Sequence, residues 1–167
     1  MIGNRRRALR SALEASSVDL LSYLRRRADL DDAPDLLGET FVVAWRRLDD
    51  LPDEPERARM WLFGIARGVL LNHARGVHRR WALADRLRGH AALAQATAPP
   101  ADAHLEVRVA ISRLEPDMAE LVRLIHWDGF TITDAAHVMG VPASTARGRY
   151  QRAKELLRLA LDPAVAP

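Results

Sequence analysis

The residues with the clearest chemistry lie between 131 and 158. Arg147, Arg149 and Arg152 fall on overlapping faces of one stretch of helical sequence, close behind a tight turn. A guanidinium there can pair with the O6 and N7 edge of guanine or with phosphate oxygens. That chemistry needs a helix start at the right place, and the sequence supplies one. Thr131-Ile132-Thr133-Asp134 has the pattern of a hydroxyl at the cap and a carboxylate three residues on. A short helix, Ala135 to Met139, would end at Gly140, which can take the left-handed conformation that closes helices. Val141-Pro142 makes the turn, and Ser144 or Thr145 begins a longer helix through Leu161. Two helices joined by a tight glycine-containing turn form a helix-turn-helix, whose second helix enters the major groove by its N-terminal half. The alternative is a plain helical hairpin with a solvated basic face.

Other chemistries find no support. The chain has no cysteine, which excludes disulfides and thiolate metal sites. His73 and His78 lie five apart in one predicted helix, while His126 and His137 lie elsewhere, and no pair has carboxylate support at metal-ligand spacing. All six histidines read as structural or solvated. There is no Ser/His/Asp grouping and no glycine-rich phosphate loop. No catalytic residue, metal or cofactor is expected.

Composition bounds the fold that must position these groups. A chain of 167 residues holds one ordinary domain or two small ones. Aromatics are only 5%, against a sheet-rich fold, while Ala, Leu and Arg, all strong helix formers, dominate. An all-α protein is expected. The N-terminus carries Arg5, Arg6, Arg7 and Arg10 but no apolar run long enough for a signal peptide or membrane span, so the chain reads as cytoplasmic. Lys154 is the only lysine, a bias that a GC-rich genome explains.

The formal net charge of +3 hides strong segregation. Residues 29–56 carry ten acidic groups against Arg46 and Arg47, whereas residues 57–90 carry eight arginines against Asp85. Residues 1–28 and 140–158 are also basic. Such blocks read either as solvated helix faces or as separate surfaces, some facing phosphate and one facing a basic partner.

Along the chain, Leu20, Leu21 and Leu24 give a first apolar stripe that ends at Arg25-Arg26-Arg27. Leu36, Leu37, Thr40, Phe41, Ala44, Trp45 and Leu48 recur at helical spacing, with Asp32 and Asp35 placed to cap the start. Asp49 to Pro55 is a loop. A second strong helix runs from about Arg57 to His78, with Trp61, Leu62, Ile65, Val69 and Leu70 facing a core, and close packing is a sensible use for its Gly64 and Gly68. Residues 82–103 lose the apolar stripe and read as a linker with helical portions. Leu105, Val109 and Leu114 mark one further helix. Pro116 opens the next, with Met118, Leu121, Val122 and Ile125 inside, and Asp128-Gly129 breaks it.

The segment "GFTITDAAHVMGVPASTARGRYQRAKELLRLAL" resembles the region 4 helix-turn-helix of extracytoplasmic-function (ECF) sigma factors of the sigma-70 family. "DAPDLLGETFVVAWRRL" followed by "ARMWLFGIARGVLLNHARGVHRR" resembles their region 2. The resemblance covers about residues 16–81 and 104–161 in the family's order. It implies a region 2 helical bundle over residues 1–81, a linker over 82–103, and a region 4 helix-turn-helix domain over 104–167. It also implies roles. Asp35, Glu39, Phe41 and Trp45 match the helix that docks on the clamp helices of the polymerase largest subunit, although the rings of Phe41 and Trp45 read as core. Arg57, Arg59 and Trp61 match the part that opens the minus-ten element and captures a flipped base. For Trp61 both a core anchor and a DNA contact stay open. Arg67, Asn72, Arg75, Arg79 and Arg80 would line the strand and its phosphates. Ser144, Thr145, Arg147, Arg149, Gln151 and Arg152 match the helix that reads the minus-thirty-five element. Gly68 stands where the family often has Asn, and Gly148 where Ser is common.

The partners so implied are core RNA polymerase and promoter DNA, with the protein a monomer when free. The family commonly has an anti-sigma partner, and nothing in the sequence identifies one. The chain stops soon after Leu161, so no added regulatory domain is expected. The competing function is a stand-alone helix-turn-helix regulator that binds palindromic half-sites as a dimer. A third class is a sigma-like interaction module that binds polymerase without promoter activity.

Overall fold

A computed structural model describes residues 2–88 and 105–161. The chain divides into two compact units, Met1–Leu93 and Ala94–Pro167. Among the described residues all regular structure is helical, and no helix is long and apolar enough to cross a membrane.

The first unit holds α1 (Ile2–Arg25), α2 (Ala33–Arg46), a 3-10 turn (Leu48–Asp50) and α3 (Pro55–Arg88), with each long helix packed on the other two. Leu9, Leu20, Tyr23 and Leu24 of α1 meet Leu36 and Ala44 of α2 and Leu62, Phe63 and Val69 of α3 in a buried core. The rings of Tyr23 and Phe63 meet edge-on, with centroids 5.2 Å apart. Fully buried Thr40 stays satisfied by donating its hydroxyl to the carbonyl of Leu36 at 2.7 Å. Neither Leu9 nor Phe63 belongs to the stripes read from the sequence, and α1 begins well before the stripe of Leu20, Leu21 and Leu24. Asp32 precedes α2 but makes no side-chain capping bond. Its carboxylate instead lies 3.2 Å from Nε2 of His73 on α3. The helix α3 continues to Arg88, into the stretch read as linker, because Ala82 to Arg88 contains only residues compatible with a helix and no breaker. The remainder of that stretch, 89–103, lies outside the described residues.

The second unit holds α4 (Leu105–Ser112), α5 (Pro116–His126), α6 (Ile132–Met139) and α7 (Ala143–Leu161). In α4 the sequence pointed to Val109, yet Ala110 and Ile111 are buried and Val109 is exposed. Ile111, Ala119, Val122 and Ala153 form one buried cluster, flanked by Leu114, Met118, Tyr150 and Leu157. Thr131 caps α6: its hydroxyl oxygen accepts from the amide of Asp134 at 3.1 Å and donates to the Asp134 carboxylate at 2.7 Å. Gly140 closes the helix at φ 67°, ψ 33°. Gly129 makes the preceding bend at φ 73°.

The Leu121→Ala variant is expected to destabilise the second unit by about 2–5 kcal/mol, through lost burial and the cavity left. Thr131→Ala should cost about 1 kcal/mol through the lost cap. Both are read from denaturant unfolding followed by circular dichroism.

Candidate nucleic-acid interface

The faces of α7 divide cleanly. Ala146 and Ala153 are fully buried, and Tyr150 and Leu157 pack beside them. On the opposite face Ser144, Thr145, Arg147, Gly148, Gln151 and Arg152 are exposed. Arg152 lies 3.4 Å from Glu155, both more than half exposed, so solvent screening keeps that pair weak and exchangeable. Arg149 stands apart from the set. It is half-buried and donates from Nη1 to Oδ2 of Asp117 on α5 at 2.7 Å. The sequence placed Arg149 with the groove-facing residues; in the structure it also joins α7 to α5. On the flank, His126 Nε2 and Tyr150 Oη are hydrogen-bonded at 2.9 Å, and Lys154 lies over the Tyr150 ring at 5.0 Å.

In α3 a second stripe emerges. With about 100° per residue, Arg57, Trp61, Gly68, Asn72, Arg75 and Arg79 fall along one side of the helix. Arg57, Gly68, Asn72, Arg75 and Arg79 are exposed there, and Trp61 is half-buried. Arg75 donates to Asn72 Oδ1 at 2.6 Å, while Arg57 pairs with Glu54 at 2.8 Å. The Trp61 ring has the guanidinium of Arg47 6.0 Å from its centroid, and its Nε1 is buried without a hydrogen-bond partner among the described residues. Gly68 has open space around it, which removes close helix packing as its reason. Half-buried Arg67 and exposed Arg80 both lie off the stripe, one to either side of it. Arg59 is also off the stripe, bonded to Asp19 on α1 at 3.3 Å and stacked over Phe63 at 4.8 Å.

Arg59 instead borders a cleft of about 400 Å³ between α1 and the loop leading into α3. Ala8, Ser11, Ala12 and Ala15 form its α1 wall, and Pro52 and Asp53 its loop wall. Arg5 ties that loop to α1 by donating to the carbonyls of Asp49 and Leu51 at 2.9 and 3.3 Å. The sequence reading missed this cleft. Its available signal was the small residues at helical spacing in α1.

On α2, exposed Asp35, Glu39, Val42 and Trp45 share one side, and Phe41 is half-buried. The expected core placement of the Trp45 ring is wrong: the residue is 50% exposed, with Arg6 5.9 Å from its ring centroid. The four-position repeat from Ala33 through Leu36, Thr40 and Ala44 already fills the core side, so the larger ring is turned outward.

Family profiles match both units: "Sigma-70 region 2" over residues 14–80 and "Sigma-70, region 4" over residues 104–157. The chain belongs to the sigma-70 family. Among relatives of this sigma factor, the "Probable RNA polymerase sigma-C factor" of Mycobacterium bovis is 32% identical over 160 residues, covering 94% of this chain and 85% of the relative. The "ECF RNA polymerase sigma factor EcfG" of Rhodopseudomonas palustris is 32% identical over 130 residues, 76% of this chain and 70% of its own. These relatives place the chain in the ECF group. Among solved structures, the sigma factor RpoE of Bartonella quintana, crystallised with the anti-sigma factor NepR, superposes with a TM-score of 0.66 at 26% identity, covering 95% of this chain and 96% of that one. CnrH, solved with the cytosolic domain of CnrY, gives 0.63 at 25% identity, covering 94% and 89%.

The Asp117→Asn variant tests the role of Arg149 in this sigma factor. Because the pair is partly exposed, unfolding free energy should fall by less than about 1 kcal/mol. A charge-swapped Asp117→Arg, Arg149→Asp double variant should recover part of that loss in a double-mutant cycle.

Proposed function

We propose that this sigma factor holds core RNA polymerase at two separate promoter elements, using three exposed helix faces for three tasks. The exposed side of α7 reads the minus-thirty-five duplex. Arg147 and Arg152 supply guanidinium contacts to guanine edges or phosphates, and Ser144, Thr145 and Gln151 supply hydrogen bonds. Arg149 contributes by fixing the helix on α5. The α3 stripe of Arg57, Trp61, Asn72, Arg75 and Arg79 tracks the unpaired non-template strand of the minus-ten element, with Arg67 and Arg80 at its margins. The cleft beside Arg59 takes an extruded base, for which small apolar walls and a nearby cation suit the chemistry. The side of α2 bearing Asp35, Glu39 and Trp45, with Phe41 behind, docks on a basic, partly apolar surface of polymerase.

The single observation that carries the reading is that half-exposed Trp45. A large ring left at the surface, beside acidic groups and on a different helix from the basic stripe, calls for a protein partner rather than phosphate. No bond is made or broken by this chain; it acts by binding, as a monomer when free, in the cytoplasm where polymerase works. RpoE was solved with the anti-sigma factor NepR, and by extension an anti-sigma protein that covers the docking faces of this chain would silence it.

Transcription in vitro with core polymerase and a promoter library tests this reading. Initiation that depends on the protein, at sites sharing two unlike motifs at fixed spacing, is the expected result. No initiation, together with retention of duplex DNA by the protein alone, would instead make it a stand-alone regulator. Trp45→Ala should abolish most polymerase retention with a melting temperature little changed, because the ring is half in solvent already. Arg147→Ala should lower initiation on the order of tenfold, the scale of one lost base or phosphate contact. Binding by the free protein should be weak and should fall steeply with added salt, as counterion release requires.

A further inference from the structure

Gly148 lies inside α7, where glycine weakens a helix and nothing among the described residues asks for it. Gly129 and Gly140 are the positive-φ glycines among the described residues, and each makes a bend that glycine suits. Gly148 has no such conformation. A Cβ at this position would meet no atom of the described residues within 4 Å, so no helix among them needs the space. The position is exposed, and its neighbours one turn either way, Ser144, Gln151 and Arg152, are exposed and polar, as is Arg147 beside it. A bare Cα therefore sits in the middle of the face turned away from Ala146 and Ala153.

We infer that Gly148 is a specificity-determining position, where the main chain of α7 comes into van der Waals contact with the floor of the promoter major groove. This rests on the reading that α7 enters the groove. A helix bearing a side chain at its centre line must stand off from the base edges by the size of that side chain. With glycine there, Arg147, Gln151 and Arg152 reach deeper on either side. The base pair opposite Gly148 is then selected by shape: the groove-floor group that fits against a CH2 is accepted, and no hydrogen bond is asked of it. Any added Cβ would push the helix outward and weaken the flanking contacts together.

The test pairs stability with promoter choice, using the full chain with core polymerase. Gly148→Ala should raise the melting temperature of the second unit by a few degrees, since alanine is the better helix former and has room. Initiation at the wild-type promoter should nonetheless fall on the order of tenfold, with Gly148→Ser also impaired. Promoters reselected with Gly148→Ala should regain initiation through changes confined to one or two adjacent base pairs of the upstream element. Unchanged or higher initiation with unchanged promoter preference would overturn the inference. So would a lower melting temperature, which would give the glycine an internal packing role. Failure of the underlying reading shows separately, as a wild-type protein whose initiation ignores the upstream element.

Discussion

Ala146 and Ala153, two turns apart on α7 and fully buried, put small residues at the points where that helix is covered, with Tyr150 and Leu157 packed on the same side. The rest of the second unit depends on those two small contacts. A larger residue at either place would lift α7 from α5 and α6, because helix separation follows the side chains at the contact. With the separation set, Asp117 on α5 can reach Arg149 on α7, and the turn at Gly140 can deliver the chain at the right angle. The polar face of α7 is then a consequence. It is the side left over once the alanines are buried, held at fixed pitch by a cap, a left-handed glycine and one ion pair.

The first unit solves a different problem, because its three long helices must serve two kinds of surface. Its core uses one side of α2 through Ala33, Leu36, Thr40 and Ala44, and one side of α3 through Leu62, Phe63 and Val69. What remains outward on α2 is acidic with apolar centres at Val42 and Trp45; what remains outward on α3 is mainly basic and polar, with Leu71, Trp81 and Leu83 also exposed. Opposite charge on adjacent helices keeps the two surfaces from attracting the same partner. The loop that Arg5 pins to α1 lies between the end of α2 and the start of α3, and the cleft beside it exists because α1 presents only small residues there.

Much of this was legible in the sequence, for reasons that differ by residue. The capping pair Thr131 and Asp134 and the left-handed Gly140 are local effects, so a few adjacent residues declare them. The charge blocks were visible because they run along the chain. Trp45 was misassigned because periodicity marks which residues share a side, not how many of them the core has room for; four smaller residues had already filled it. The bond of Arg149 to Asp117 was not legible because the two lie 32 residues apart, beyond any local pattern. Leu9 and Phe63 were passed over for a related reason: each is buried by neighbours from other helices rather than marked by a strong stripe of its own. The α1 wall of the cleft left a faint trace in spaced small residues, but its significance appears only once the loop is folded against it.

Footprinting of the polymerase complex tests the central claim, the division of labour between the units, most directly. On a selected promoter, permanganate reactivity and hydroxyl-radical protection would be compared for polymerase with the protein, polymerase alone and the protein alone. The account predicts a protected upstream duplex element and reactive unpaired thymines in a distinct downstream element, both seen only when protein and polymerase are combined. A symmetric footprint from the protein alone, with no unpaired thymines when polymerase is added, would contradict it.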